Sequence, residues 1–510
     1  MGRLGARQAG KEIAARPIRR LLVANRGEIA VRVLRTAREM RIGTVAVFAD
    51  ADAGAVHVDR ADHAVSLGGG SVAETYLSIP KILDAARTGG ADAIHPGYGF
   101  LAESAEFARA VERAGLVWIG PPPEAIEEMG DKLSARARMR KAGVPVVPGT
   151  DGSAADDATL ARGAEELGYP VLVKASAGGG GKGMSRVDRA ADLSGALDEA
   201  RRIAASAFGD DTLYLEKLLA GPRHVEFQIF ADLHGNTVHL FERECSVQRR
   251  HQKIVEETPS PALDSPLRSA MGAAAVEAAH AVGYVGAGTI EFLLDSERRF
   301  YFLEANTRLQ VEHPITEETL GLDLVAWQIE VAQGAQLPAA WTRGELAPRG
   351  HAIEMRLYAE DPLDFLPRAG SVLEWVEPAG PGVRVDSGVD RGSTVSLEYD
   401  PLLAKVVAHA EDRRRAIERA LRAIDELVVL GVETNRPLLA HVLSSAEFES
   451  GDYDTGLVSR LPPLAPPPVP PAAWIAAALS LTRRAPSNAP PAAADPWEAA
   501  KGWRPAGALD

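Results

Sequence analysis

Alternation of short apolar runs with helix-periodic segments constrains this chain more than any other feature, because strand–helix order of that kind commits it to an α/β architecture. Residues 18–24, IRRLLVA, read as a buried strand, and NRGEIAVRVLRTAREM directly after it spaces its apolar residues as a helix does. This is the opening of a doubly wound parallel sheet. The pattern continues through TVAVFA, a helix near SIPKILDAARTG, ADAIHPGYGF, a helix near EFARAVERAG, and LVWIG before Pro121 to Pro123. A first domain is expected over 18–125. NRGEIA lacks the G-x-G-x-x-G pattern, so a dinucleotide-binding reading of that domain has little support.

The 510 residues are enough for several folded units. Pro and Gly punctuation in GVPVVPG marks 126–148 as a linker, and 149–220 alternates helix and strand as a small α/β unit. Long strand-like stretches follow over 221–348, among them HVEFQIFAD, GTIEFLLD and RFYFLEANTRLQV, with one helix near 265–282. A further sheet-rich part is expected over 349–460. The segment 461–510 holds 12 of the 34 prolines and many alanines, which favours extended polyproline II and disorder over a packed core. Residues 1–17 read as a flexible extension. The net charge of −14 argues against a nucleic-acid reader. A single cysteine, Cys245, and the lack of a long apolar run argue against disulfides and a membrane span, so a cytoplasmic location is expected.

Three stretches carry chemistry. In an extended chain, Glu304, Asn306, Arg308, Gln310 and Glu312 of EANTRLQVE would share one face. A plain solvated sheet face is the alternative. The neighbouring strand GAGTIEFLLD, joined by the turn DSERR, sets Glu291 beside Glu304 and Asn306 in a hairpin, an all-oxygen cluster suited to Mg²⁺ with phosphates completing the shell. Second, Lys174 ends YPVLVKA and is followed by SAGGGGKGM with Lys182. That loop is no Walker A sequence, and it reads as a lid over a nucleotide or as a simple surface turn. Third, Arg249, Arg250, His251 and Lys253 form a basic patch in an acidic chain, either an anion site or a charged loop. Taken by themselves, His224 reads as a structural histidine and Cys245 as a packing residue. Lysine occurs only ten times, and Lys174, Lys182 and Lys253 fall within these stretches.

ANRGEIAVR, IHPGYGFLAES, MGDK, KASAGGGGKGM, ECSVQRRHQK, GAGTIEF, EANTRLQVEHP, GHAIEMRLYAEDP and YDPLLAK occur in that order. Over residues 18–460 the chain thereby resembles the biotin carboxylase component of biotin-dependent carboxylases, in the ATP-grasp superfamily. The resemblance implies an α/β, ATP-grasp fold with an N-terminal doubly wound domain, a small lid domain and a C-terminal sheet-rich domain. It implies that ATP and bicarbonate give carboxyphosphate, whose CO₂ carboxylates a ring nitrogen of biotin, the first half-reaction of an acyl-CoA carboxylase. By position, Lys132, Lys174, Gly180, Gly181, Glu216, Lys217, Leu218, Leu219, His224, Gln248, His251, Glu291 and Glu304 match the ATP site. Glu291, Glu304 and Asn306 match ligands of Mg²⁺ or Mn²⁺. Lys253, Arg308, Gln310, Val311 and Glu312 match the bicarbonate site, with Glu312 as general base. Arg356 matches the residue that stabilises the biotin enolate, and Tyr98 and Asp400 border the biotin pocket. Lys253, Arg308, Glu312 and Arg356 are the expected catalytic set. Ser185 departs from the arginine that many members carry after GKGM, which touches the lid and not the chemistry.

The implied partners are a biotin carboxyl carrier protein, a carboxyltransferase subunit and a second copy in a homodimer, with no nucleic acid and no membrane. No AMKM-type biotinylation motif is present, and DPWEAAKGWR resembles the start of the connecting region of longer acyl-CoA carboxylase α chains, so biotin is expected on a separate carrier. The competing readings are another ATP-grasp ligase, such as a carbamoyl-phosphate synthetase half or a purine-pathway carboxylase, or a non-catalytic regulatory subunit. The EMR and RRHQK segments argue against the former, and the intact catalytic set against the latter.

Overall fold

The computed structural model describes residues 15–151, 156–176, 184–464, 469 and 471–482. The chain divides into a unit spanning Met1–Pro462 and a second spanning Pro463–Asp510.

The first unit opens with a five-stranded parallel sheet in the order His63–Gly68, Gly43–Ala49, Arg20–Val23, Ala93–His95, Val117–Trp118. Leu21, Leu22 and Val23 are all fully buried, as a parallel strand covered on both faces requires. Gly27, at a φ of 62°, turns the chain from that strand straight into helix Gly27–Glu39, whose Ile29, Ala30, Val33, Leu34 and Ala37 fill the core. His63–Gly68 was not anticipated. It is an edge strand with only Leu67 buried, so it lacks the apolar signature of its neighbours.

Residues 126–148, expected as a linker, instead belong largely to helices Pro123–Gly130 and Lys132–Lys141. Asp131 separates them and caps the second by accepting the Ser134 N–H at 2.7 Å. Met129, Ala135, Met139 and Val144 pack with Val225, Phe227, Phe292 and Phe302, so the segment is core. The next unit is a three-stranded antiparallel sheet, Ser185–Val187, Val171–Ala175 and Leu213–Lys217, with helices Asp157–Leu167 and Leu193–Phe208 beside it. The glycine-rich loop with Gly180, Gly181 and Lys182 lies outside the described residues.

An eight-stranded antiparallel sheet dominates the rest. Its order is Phe300–Asn306, Gly286–Leu294, Arg223–Ala231, Thr237–Arg249, Gln252–Thr258, His351–Tyr358, Leu402–Ala410 and Val383–Ser387. Gln252–Thr258 pairs directly with His351–Tyr358, so the division expected between 348 and 349 falls inside one continuous sheet. Buried Glu257 ties this seam to the C-terminal helices: it meets His351 at 2.6 Å, Arg413 at 2.7 and 2.9 Å, and the Tyr453 hydroxyl. Removing one partner of a buried pair of this kind costs about 3–5 kcal/mol.

Of the extension 1–17, residues 1–14 lie outside the described residues, while the Arg16 N–H donates to the Gln333 carbonyl at 3.0 Å. In the second unit, Pro471–Thr482 is an α-helix where extended polyproline was expected. Past its first proline this stretch is mostly alanine and leucine, with isoleucine, tryptophan, Ser480 and Thr482 and no charge, and proline is tolerated at the first helical position. Among the described residues, no helix is long and apolar enough to cross a membrane.

Candidate active site

The hairpin of Gly286–Leu294 and Phe300–Asn306 sets Glu291 opposite Glu304 and Thr289 opposite Asn306. Side chains that face each other across such a pair lie about 5 Å apart. Asn306 Nδ2 donates to Glu291 Oε1 at 2.7 Å, and His224 Nε2 meets Glu291 Oε2 at 2.7 Å. Gln248 Nε2 lies 2.6 Å from His224 Nδ1. His224 thus belongs to the cluster: burial would lower it, but Glu291 outweighs burial and raises it.

Lys253 is the hub. Its ammonium contacts Glu226 at 2.6 Å, Glu291 at 2.8 Å and Glu312 at 2.8 Å. Burial opposes its charge, and the three carboxylates more than compensate, holding it well above the usual lysine range. Arg356 donates from Nε to Glu256 Oε1 at 2.6 Å and from a terminal nitrogen to Glu312 Oε2 at 3.0 Å. Glu312 is fully buried. Burial would raise its carboxyl, but Lys253, Arg356 and Arg243 hold it well below the usual carboxylate range.

The stretch EANTRLQVE is not extended throughout. The strand ends at Asn306, and Glu312 is the N-cap of helix His313–Leu320. Two contacts bend it: Glu103 accepts the Thr307 N–H at 3.1 Å and Arg308 Nε at 3.0 Å, and Pro314 sits in the first helical turn. Arg308 also donates to Gln310 Oε1 and Asn306 Oδ1, each at 3.2 Å, while Gln310 Nε2 turns to Thr289 Oγ1 at 2.9 Å. The Val311 carbonyl accepts from Lys405 at 3.0 Å. The residues expected on one face therefore converge through a turn.

Two carboxylates side by side, Glu291 buried and Glu304 half-buried, suit a divalent cation. Burial, and then the Glu291 charge, raise Glu304, as expected of an acid lacking a full counter-charge. Turning the Asn306 amide over would present its Oδ1 where Nδ2 now lies. The oxygen donors Glu291, Glu304 and Asn306 fit Mg²⁺ or Mn²⁺.

A second cluster adjoins the first. Lys174 and Arg136 both ion-pair with buried Glu216, and Arg136 also donates to the Val147 carbonyl at 2.9 Å. Lys132 feels both clusters: burial lowers it, opposed by Glu304 and Glu216. The Lys217 ammonium is taken up within its own domain, donating to the Gly168 carbonyl at 2.7 Å, and the Leu218 N–H donates to the Pro170 carbonyl at 3.2 Å, with Leu219 half-buried beyond it. His251 is exposed in the tight turn between Thr237–Arg249 and Gln252–Thr258 at a φ of 66°. Tyr98 has its ring centroid 6.0 Å from the Lys405 ammonium. Asp400 is exposed, accepts the Leu402 N–H at 2.9 Å and lines a cleft with Arg26, Asp52 and Tyr399. Cys245 is buried with Sγ 4.0 Å from Glu312 Oε1, and burial raises its thiol.

Glu103, Arg136, Glu226, Arg243 and Glu256 escaped the sequence reading. Glu226 in HVEFQIF carries the same signal as Glu291, an acid inside an apolar strand. The others have no comparable local mark.

Three family models match the chain: biotin carboxylase N-terminal domain over residues 17–126, the carbamoyl-phosphate synthase L chain ATP-binding domain over 131–340, and biotin carboxylase C-terminal domain over 354–460. A biotin carboxylase of Halalkalibacterium halodurans is 49% identical over 442 residues, which are 87% of this chain and 97% of that protein. The chain belongs to the biotin carboxylase family. It is an ATP-grasp ligase, and the carboxylation of biotin is the first half-reaction of the carboxylases its relatives serve.

The chain is also 48% identical to the mitochondrial methylcrotonoyl-CoA carboxylase subunit alpha of Dictyostelium discoideum, over 88% of this chain and 64% of that one. Among solved structures, a Campylobacter jejuni biotin carboxylase–β-γ-ATP complex aligns with a TM-score of 0.85 at 43% identity, over 87% of this chain and 99% of that one. The biotin carboxylase domain dimer of Hydrogenobacter thermophilus 2-oxoglutarate carboxylase, in complex with MgADP, ADP and bicarbonate, gives 0.83 at 42%, over 87% and 97%.

Proposed function

We propose that this chain carboxylates biotin with Glu312 as general base, Lys253 and Arg308 as the cations that hold bicarbonate, and Arg356 as the cation facing biotin. The observation that carries the reading is the grip on Glu312: one buried carboxylate held at 2.8 Å by Lys253 and at 3.0 Å by Arg356, which come from different strands. Such a carboxylate stays ionised and aimed, which is what taking the bicarbonate proton requires. The freed bicarbonate oxygen attacks the γ-phosphorus of ATP as the bond to ADP breaks, and carboxyphosphate forms. Lys253 and Arg308 steady the charge on the attacking group. Carboxyphosphate yields CO₂ and phosphate, that phosphate takes the proton from the biotin ring nitrogen, the nitrogen attacks the CO₂, and Arg356 stabilises the negative charge on the ureido oxygen.

Lys174, Glu216, Lys132, His224 and Gln248 are the nucleotide side of the site, supported by the second ion-pair cluster and its contact with the first. Glu291, Glu304 and Asn306 would hold Mg²⁺ or Mn²⁺, which neutralises phosphate charge on the nucleotide. Gln310 and the Val311 backbone complete the bicarbonate side, with Tyr98 and Asp400 on the biotin side. The reading calls for biotin on a carrier protein, a carboxyltransferase subunit as the next station, and a homodimer like that described for the 2-oxoglutarate carboxylase domain.

Purified chain is expected to hydrolyse ATP only with bicarbonate and Mg²⁺, faster when free biotin is added, and to stop in EDTA. Folded protein whose ATP turnover ignores biotin would contradict the reading.

A further inference from the structure

Lys405 is a fully buried lysine that the chemistry above leaves unused. It lies on strand Leu402–Ala410, where the register sets it directly opposite Arg356 on one side and Asp386 on the other. Like charges directly opposite each other in a sheet are destabilising, so the Arg356–Lys405 pairing calls for a reason.

Both cations hold the same short segment. Arg356 takes the Glu312 carboxylate at 3.0 Å, and Lys405 donates to the carbonyl of Val311, the residue before it, also at 3.0 Å. Two neighbours on one sheet face thus fix the 311–312 peptide and the side chain that follows it. The Lys405 ammonium also lies 3.1 Å from Glu28 Oε2 and 3.9 Å from Asp386 Oδ2. Glu28 opens the helix Gly27–Glu39, so the first domain, the C-terminal strands and the Glu312 turn all meet at this ammonium. An ion pair with Glu28 alone would not need a bond to a loop carbonyl. That bond matters because the chain between Asn306 and His313 has left the sheet and has no ladder to hold it.

We infer that Lys405 is a positioning residue for carboxylation: by holding the Val311 carbonyl it fixes the peptide that presents Glu312, and with Arg356 it clamps the general base where the bicarbonate proton is taken. Lys405, fully buried, acts through Glu312. The inference rests on the functional reading above, and it adds to that reading a residue outside the proposed substrate contacts.

The test compares the full chain with Lys405→Met. Misplacing a reacting group by about 1 Å costs about 10²-fold in rate, so kcat for biotin-stimulated ATP turnover is expected to fall by about that factor, with ADP affinity unchanged. Because the substitution leaves Glu28 buried without its cation, it is paired with Lys405→Met/Glu28→Gln, in which Asp386 keeps Arg384 at 2.7 Å. The double variant is expected to recover thermal stability and not kcat, while Glu28→Gln alone, which keeps the Val311 bond, turns over as the parent does. Recovery of kcat in the double variant, an undiminished kcat in Lys405→Met, or a double variant that still does not fold would each reduce Lys405 to a structural role and overturn the inference. A parent chain without biotin-stimulated turnover overturns the functional reading first, and this role with it.

Discussion

Glu312→Gln is expected to lower kcat for biotin carboxylation by about 10²–10⁴-fold, the range associated with loss of a positioned general base. Glutamine keeps the shape and an acceptor oxygen for Lys253 or Arg356, but it does not take a proton. The fold should tolerate the change because neither cation is stranded: Lys253 keeps Glu226 at 2.6 Å and Glu291 at 2.8 Å, and Arg356 keeps Glu256 at 2.6 Å. Affinity for ADP should be unchanged, because the nucleotide cluster at Lys174 and Glu216 does not include Glu312. Steady-state turnover alongside equilibrium nucleotide binding checks both parts. A variant with near-parental kcat would remove Glu312 from the role of base.

Arg308→Ala is expected to cost about 10²–10³-fold in carboxylation, comparable to removing one preorganised donor from a developing anion. Its contacts are Glu103, the proposed metal ligand Asn306, Leu309 and Gln310, and none of them belongs to the Lys174–Glu216 cluster. Nucleotide binding should therefore survive. An equal loss of ATP affinity would show that Arg308 serves the nucleotide, and the division of labour between the two clusters would fail.

What the sequence makes readable, and what it hides, follows from the range of the interactions. Glu291 beside Glu304 is readable because the turn DSERR joins two apolar strands, and a hairpin register follows from local chain geometry. The bend after Asn306 is hidden, since the polar alternation of EANTRLQVE mimics a strand and the contact that breaks it comes from Glu103, about 200 residues away by sequence separation. Lys405 and Glu256 are hidden for the same reason: they look like ordinary polar residues until sheet order brings Gln252–Thr258, His351–Tyr358 and Leu402–Ala410 side by side. The helices over 123–141 are masked by prolines and glycines, and only packing against Phe227 and Phe292 reveals them as core. Roles beyond geometry, such as that of Arg356, came from the family resemblance, because an arginine in EMRLY carries no local mark of its function.

Whether this chain moves carbon from bicarbonate to biotin at the expense of ATP is read by following labelled carbon. With ¹⁴C-bicarbonate, ATP, Mg²⁺ and biotin, acid-labile label is expected on biotin in step with biotin-dependent ADP release, and about 10²–10⁴-fold more slowly with the Glu312→Gln chain. ATP hydrolysis with no label on biotin would contradict it.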